Sequence, residues 1–299
     1  MDRTRLSSVA RRLAARLEPV IGQVYFAPEC HAAYEALGFA PSPGTFRGVA
    51  APDGPAYFTS RGSLMGQVQP DVVAAAFGVF NPAVVAPAVA FGWTLTDADT
   101  IFAARRAGAV AQLERVLGGA TADVRRAGDL LARAVEVLRP EGRPLFAGLR
   151  SRWDDPAGWT RLFHLGDMLR EHRGDAHVAA WTAAGLDAVE IGLLTEAYIG
   201  LPPRTYVRTR AWDDAALDAA AERLGRRGWL DGARLTEQGQ AAREHIELTT
   251  DQALAPAIVA LGDDADELLA RLEPWGAAVR DAGGYIGGPI DLWPSSRDA

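Results

Sequence analysis

The sequence contains no lysine, so its 31 basic residues are all arginines. That absence excludes a lysine Schiff base and any GxxxxGK[ST] phosphate loop. A lone cysteine, Cys30, excludes an internal disulfide. No long hydrophobic run is present: the most apolar region, Val72 to Trp93, is broken by Asn81, Pro82 and Pro87, short of the roughly 18 uninterrupted apolar residues that a spanning helix needs. Neither a GxGxxG fingerprint after a strand, nor a GxSxG elbow, nor HExxH occurs, so no nucleotide cofactor is expected. Histidine is scarce, with five residues at positions 31, 164, 172, 177 and 245. The missing lysine fits the coding bias of a GC-rich genome, as do the abundant alanine, arginine and glycine. Such a bias does not choose positions, so the clustering of three histidines between 164 and 177 remains as signal.

What is present is a chain of 299 residues, 48% hydrophobic and 23% charged, with a formal net charge of −7. This is the composition of a globular protein, long enough to bury about three quarters of its unfolded surface. The segment Met1–Leu17 alternates Arg3, Arg5, Arg11, Arg12 and Arg16 with apolar residues. It reads as an amphipathic helix and lacks the apolar core of a secretion signal. Cytoplasmic location and no membrane partner are the expectation. The negative charge disfavours nucleic acid, because phosphate neutralisation supplies most non-specific affinity.

Helical periodicity predominates. Long helices are predicted over Arg3–Ile21, Asp97–Leu117, Ala122–Val137, Pro156–Ala184, Leu186–Tyr198, Asp213–Gly225, Glu237–Gln252 and Ala265–Asp281. The Gly/Pro-rich stretch Gly38–Gly54 is expected to hold no regular element, and Tyr57–Ser60 reads as a short extended segment leading into a loop. The tail Gly283–Ala299 is expected to wrap the surface through Tyr285, Ile286 and Trp293. Four regions follow: an N-terminal helical domain at 1–155, a connecting helix at 156–184, a winged helix at 185–250, and C-terminal helices and tail at 251–299.

The winged-helix reading rests on two helices followed by Trp229-Leu230-Asp231-Gly232-Ala233-Arg234-Leu235-Thr236. Asp231-Gly232 is a hairpin-turn dipeptide, and Thr236 is a cap for the next helix. This stretch, with Thr236-Glu237-Gln238-Gly239, resembles the end of MarR-type regulators. In such a unit the helix opening at Asp213-Asp214 would meet DNA, with Arg204, Arg208 and Arg210 on the phosphates. Residues 187 to 250 hold eight arginines against eleven acids, a balance that opposes that use.

The remaining signal is the stretch Trp159 to Trp181. At 100° per residue, with His164 at zero, Asp167, Glu171, Asp175 and His172 share roughly 140° of one helix face. His177 projects from the opposite side. Three readings stay open for that sector: acids paired with Arg170 and Arg173, a metal or single-histidine haem site, or an acid/base pair. His164 and His172 are separated by about 12 Å of helix rise, too far to share one ion. In the acid/base reading His172 works with Asp175 or Glu171, a nearby carboxylate raising the histidine's pKa. Arg61 stands as an anchor for an anionic ligand. Asn81, before Pro82, reads as an N-cap and completes the ligand-binding candidates with His164 and His177.

The string Leu169-Arg170-Glu171-His172-Arg173-Gly174-Asp175-Ala176-His177-Val178-Ala179-Ala180, together with Phe26-Ala27-Pro28-Glu29, Phe80-Asn81-Pro82 and Arg227-Gly228-Trp229-Leu230, resembles an actinobacterial helix-turn-helix, or MarR-like, family. The resemblance implies a mainly α fold: an N-terminal helical domain plus a C-terminal winged helix with a short β-wing. It implies no reaction. The expected function is binding of a small molecule between the two domains, or its turnover as an enzyme with His172, Asp175 and Glu171 as the catalytic candidates. The alternative is a ligand-responsive DNA-binding regulator. A homodimer is expected, using Ala253–Asp281 as its interface. A cavity that misses His172 would favour a purely structural module.

Overall fold

The computed structural model describes residues 3–286. Trp293 therefore lies outside the described residues. Proline and small polar caps set where the helices begin. Pro28, Pro70, Pro82 and Pro144 occupy the first turns of α2 (Pro28–Glu35), α4 (Pro70–Ala76), α5 (Pro82–Leu95) and α8 (Pro144–Ser151), where a missing N–H costs nothing. Side chains of Asp97 and Thr121 accept from backbone N–H groups opening α6 (Ala98–Leu117) and α7 (Ala122–Glu136). The chain opens on α1 (Arg3–Ile21).

Two expectations for residues 38–62 are corrected. Gly38–Gly54 contains an antiparallel pair, β1 (Thr45–Phe46) and β2 (Val49–Ala50), closed by Arg47 and Gly48 at φ 51° and 85°. Positive φ at both central residues matches the strand twist of a two-residue hairpin. Tyr57–Ser60 is helical, within α3 (Gly54–Gly62), because Asp53 caps the Ala56 N–H and Pro55 presets the first turn.

The axis of the fold is α9 (Gly158–Ala183), roughly 39 Å long at 1.5 Å per residue. It joins two apolar cores. Its Leu162, Phe163, Leu165, Met168 and Leu169 belong to the first, built from α1 to α8. Ala180 and Trp181 belong to the second. That second core is the winged helix: α10 (Ala188–Ile199), α11 (Asp214–Arg226), β3 (Leu230–Asp231), β4 (Arg234–Leu235) and Ile246 of α12 (Glu237–Ala253). Asp187 and Glu190 make a capping box on α10, Asp213 caps α11, and Thr236 caps α12. The wing pairs Asp231 with Arg234, so its turn is Gly232-Ala233, one residue later than the Asp231-Gly232 expectation.

The last two helices, α13 (Ala255–Leu261) and α14 (Asp264–Asp281), return to the first core. Leu268, Leu269 and Leu272 are buried there, and α14 packs on α1. Much of the apolar surface of the stretch Ala253–Asp281, expected to form a dimer interface, is thus buried within the chain, while Val259 on α13 stays exposed. Tyr285 is also buried, its hydroxyl donating to Glu18 at 3.3 Å. Among the described residues no single helix is long and apolar enough to cross a membrane.

Candidate functional site

The polar sector of α9 is buried, and all of its members except His172 have a hydrogen-bonding protein partner. His164 Nε2 bonds the Leu149 carbonyl at 2.9 Å between the rings of Phe102 and Trp153. Arg105 donates to Asp167 at 2.7 Å. Glu171 receives a two-pronged pair from Arg61, at 3.0 and 2.8 Å, and a bond from Arg170 at 2.8 Å. Burial alone would raise the Glu171 carboxyl, but Arg61 and Arg170 outweigh it and hold the group well below the usual carboxylate range. Asp175 accepts from the Phe146 N–H at 3.0 Å, at the start of α8.

His172 does not pair with either acid. Its ring meets Phe146 edge-on at 4.9 Å, and Nδ1 takes no hydrogen bond among the described residues. The expectation of a carboxylate-raised pKa is reversed: burial, then the charge of Arg143, press it down to about 3. The sequence spacing put the groups on one face, but the residues arriving from α3, α6 and α8 separated them. Among the described residues no group of three or more His, Cys, Asp or Glu side chains could hold a metal ion.

Asp175 gives a pH-dependent signal. Burial raises its carboxyl to about 7, above its unfolded value near 3.9. Its favourable contribution is therefore complete below pH 3.9 and disappears as pH rises through 7. Asn carries the shape of the protonated acid and still accepts from Phe146. Asp175→Asn is expected to match the parent near pH 4 and to exceed it by roughly 2 kcal/mol at pH 8, read by urea denaturation at both values. An equal difference at both pH values would overturn this assignment.

The open space lies elsewhere, on the seam between the two cores. A cavity of about 210 Å³ is bounded by α1, α3, α9, α10 and α12, and by the loops carrying Phe80 and Arg210. Arg61, Glu171 and His177 line it, whereas His164, His172, Asp175 and Asn81 do not. His177, assigned by the helical wheel to the opposite side, thus faces the same cavity as Glu171. A cavity wraps around a helix edge, which a single-face projection does not anticipate. Asn81 instead latches the cores: its backbone N–H and Nδ2 donate to the carbonyls of Arg210 and Ala211, at 2.9 and 3.0 Å, while its Oδ1 caps α5. Trp212 Nε1 donates back to Val79 at 3.0 Å.

Five arginines line the cavity: Arg61, Arg170, Arg173, Arg210 and Arg243. Arg173 and Arg243 were not among the site candidates, and Arg210 was assigned to phosphates. Arg173 bonds Glu247 and Asp251, and Arg243 bonds Glu247 at 2.7 Å. Position 210 was legible only as part of an arginine cluster. Its direction depends on Ala211, whose φ of 64° turns the chain back.

The outer face of α11 is exposed and carries Asp214, Asp218 and Glu222. Arg204 pairs with Asp214 and Asp218, and Arg208 with Asp214. Two of the three arginines expected on phosphates, Arg204 and Arg208, therefore meet the acids of the helix they were to flank. The model of a helix-turn-helix family matches residues 10–286. The chain belongs to this helix-turn-helix family. No curated protein and no solved structure matches the chain.

Proposed function

We propose that this protein binds a small organic molecule in the cavity between its helical body and its winged helix. The observation that carries this reading is the cavity's position: it touches both cores and is lined by five arginines beside aromatic and aliphatic side chains. Concave, largely apolar sites with a few convergent polar groups are the usual form of a ligand pocket. Its carboxylates and its histidine already have protein partners, Glu171 with Arg61, Glu18 with Arg170 and His177 with Thr250, and the reading is confined to binding. A fluorescent apolar anion, anilinonaphthalene sulfonate, tests it. The parent should bind the dye saturably at one site, and Thr195→Trp, which fills the cavity from α10, should weaken binding by about tenfold or more with the melting temperature retained. Absence of saturable binding, or equal binding by both proteins, would overturn the reading.

A second reading, a ligand-responsive DNA-binding regulator, is favoured by family membership and by the exposure of α11. Helix-turn-helix shape does not establish DNA contact, which depends on the site. The acids on that helix, which already engage Arg204 and Arg208, are arranged against phosphate.

A further inference from the structure

The cavity walls differ in what they have left to offer. Arg61 and Arg170 share Glu171, and Arg170 also bonds Glu18 at 2.9 Å. Arg173 and Arg243 share Glu247. Arg210 alone among these five has no carboxylate partner among the described residues. It is steadied by rings, its guanidinium carbon lying 4.6 Å from the centroid of Phe80 and 4.3 Å from that of Tyr206. Its Nε–H is buried and donates to no acceptor among the described residues. A guanidinium held by aromatic rings presents its N–H edge to a planar anion.

His177 supplies the complementary group. Thr250 Oγ1 donates its one proton to the Ile246 carbonyl at 2.8 Å, so toward His177 Nδ1, 3.1 Å away, it can only accept. Nδ1 therefore carries the imidazole proton. Burial, then Arg243, depress the ring's pKa to about 3, which keeps it neutral. Nε2 is left as a bare acceptor on a ring that lines the cavity. Arginines offer only donors, so an acceptor among them selects a donor on the ligand.

Resting on the cavity reading above, we propose that the ligand is an organic anion that also carries a hydroxyl or N–H group, with its anionic end on Arg210 and its donor on His177 Nε2. Thr250 is a positioning residue, since it sets the tautomer without touching the ligand.

Four matched probes test this with the full chain by calorimetric or ligand-observed NMR titration: meta-hydroxybenzoate, benzoate, meta-methoxybenzoate and meta-hydroxybenzyl alcohol. The hydroxybenzoate should bind tightest. The neutral alcohol should bind about tenfold weaker or worse, and benzoate and the methoxy compound about fivefold weaker. Arg210→Gln should erase the difference between acid and alcohol while leaving the preference for a hydroxyl. His177→Phe should erase the difference between hydroxy and methoxy compounds while leaving the preference for an acid. Equal binding of acid and alcohol by the parent, a preference for the acid that survives Arg210→Gln, or a preference for the hydroxy over the methoxy compound that survives His177→Phe, overturns the proposal. So does dye binding with none of the four probes detected. Absence of both dye and probe binding instead overturns the cavity reading itself, so the two failures are distinguishable.

Discussion

Arg105→Met should destabilise the protein by about 3–5 kcal/mol, the usual cost of leaving one buried charge without its partner, measured by urea denaturation at neutral pH. Arg105 is 1% exposed, and Asp167 is completely buried. Their one bond, Nη1 to Oδ2 at 2.7 Å, is the pair's chief polar contact. Arg105 Nε and Nη2 and Asp167 Oδ1 take no hydrogen bond among the described residues. Two desolvated ions joined by one bond are poorly compensated, so the pair holds the helices in register at little net gain. The double change Arg105→Met with Asp167→Leu should therefore recover most of the loss, and the coupling between the sites should be large. A single variant within 1 kcal/mol of the parent would show that water reaches Asp167 and overturn the assignment of a buried charge pair. The rings of Tyr25 and Phe163, 5.8 and 5.5 Å from the Arg105 guanidinium carbon, line a slot that a methionine side chain also fills.

Most of the helical framework was legible because its signals are local. Pro82 after Asn81 and Thr236 before α12 each act within one turn, and each sits where the sequence placed it. Tyr57–Ser60 misled because four residues of mixed polarity have no period of their own. The cap on Asp53 that makes them helical lies outside the window. The site was legible in part. Helical spacing correctly brought Asp167, Glu171 and Asp175 onto one buried side of α9, and Arg61 does reach Glu171. Spacing carries no information about what the opposite wall contributes. Arg105 from α6, Phe146 from α8 and Glu247 from α12 lie 62, 29 and 74 residues away from the α9 groups that they contact. Those partners turned a shared helix face into separate ion pairs and caps. His172, the most suggestive residue by position, thereby became a neutral packing group beside Phe146.

Glu171→Gln should act on stability and on ligand affinity with opposite signs. The carboxylate is fully buried between Arg61 and Arg170 and also accepts from the Tyr25 hydroxyl at 3.3 Å. An amide keeps one acceptor oxygen but turns an N–H₂ group toward a guanidinium, so a donor faces a donor. Loss of a buried charge pair of this kind should cost about 3 kcal/mol at pH 7. The wild-type advantage belongs to the charged carboxylate. It is present above the unfolded value near pH 4.3 and is lost as pH falls through the depressed folded value, so the two proteins should converge in acid. Affinity runs the other way, because removing this negative charge leaves Arg61 and Arg170 less neutralised on the cavity wall. Meta-hydroxybenzoate and the sulfonate dye should bind Glu171→Gln roughly fivefold more tightly, with a steeper salt dependence, while the neutral alcohol is unaffected. A destabilised variant with unchanged anion affinity would place the Glu171 charge out of electrical reach of the cavity. Weaker binding of acid and alcohol alike would mean that Glu171 shapes the wall and does not set its charge.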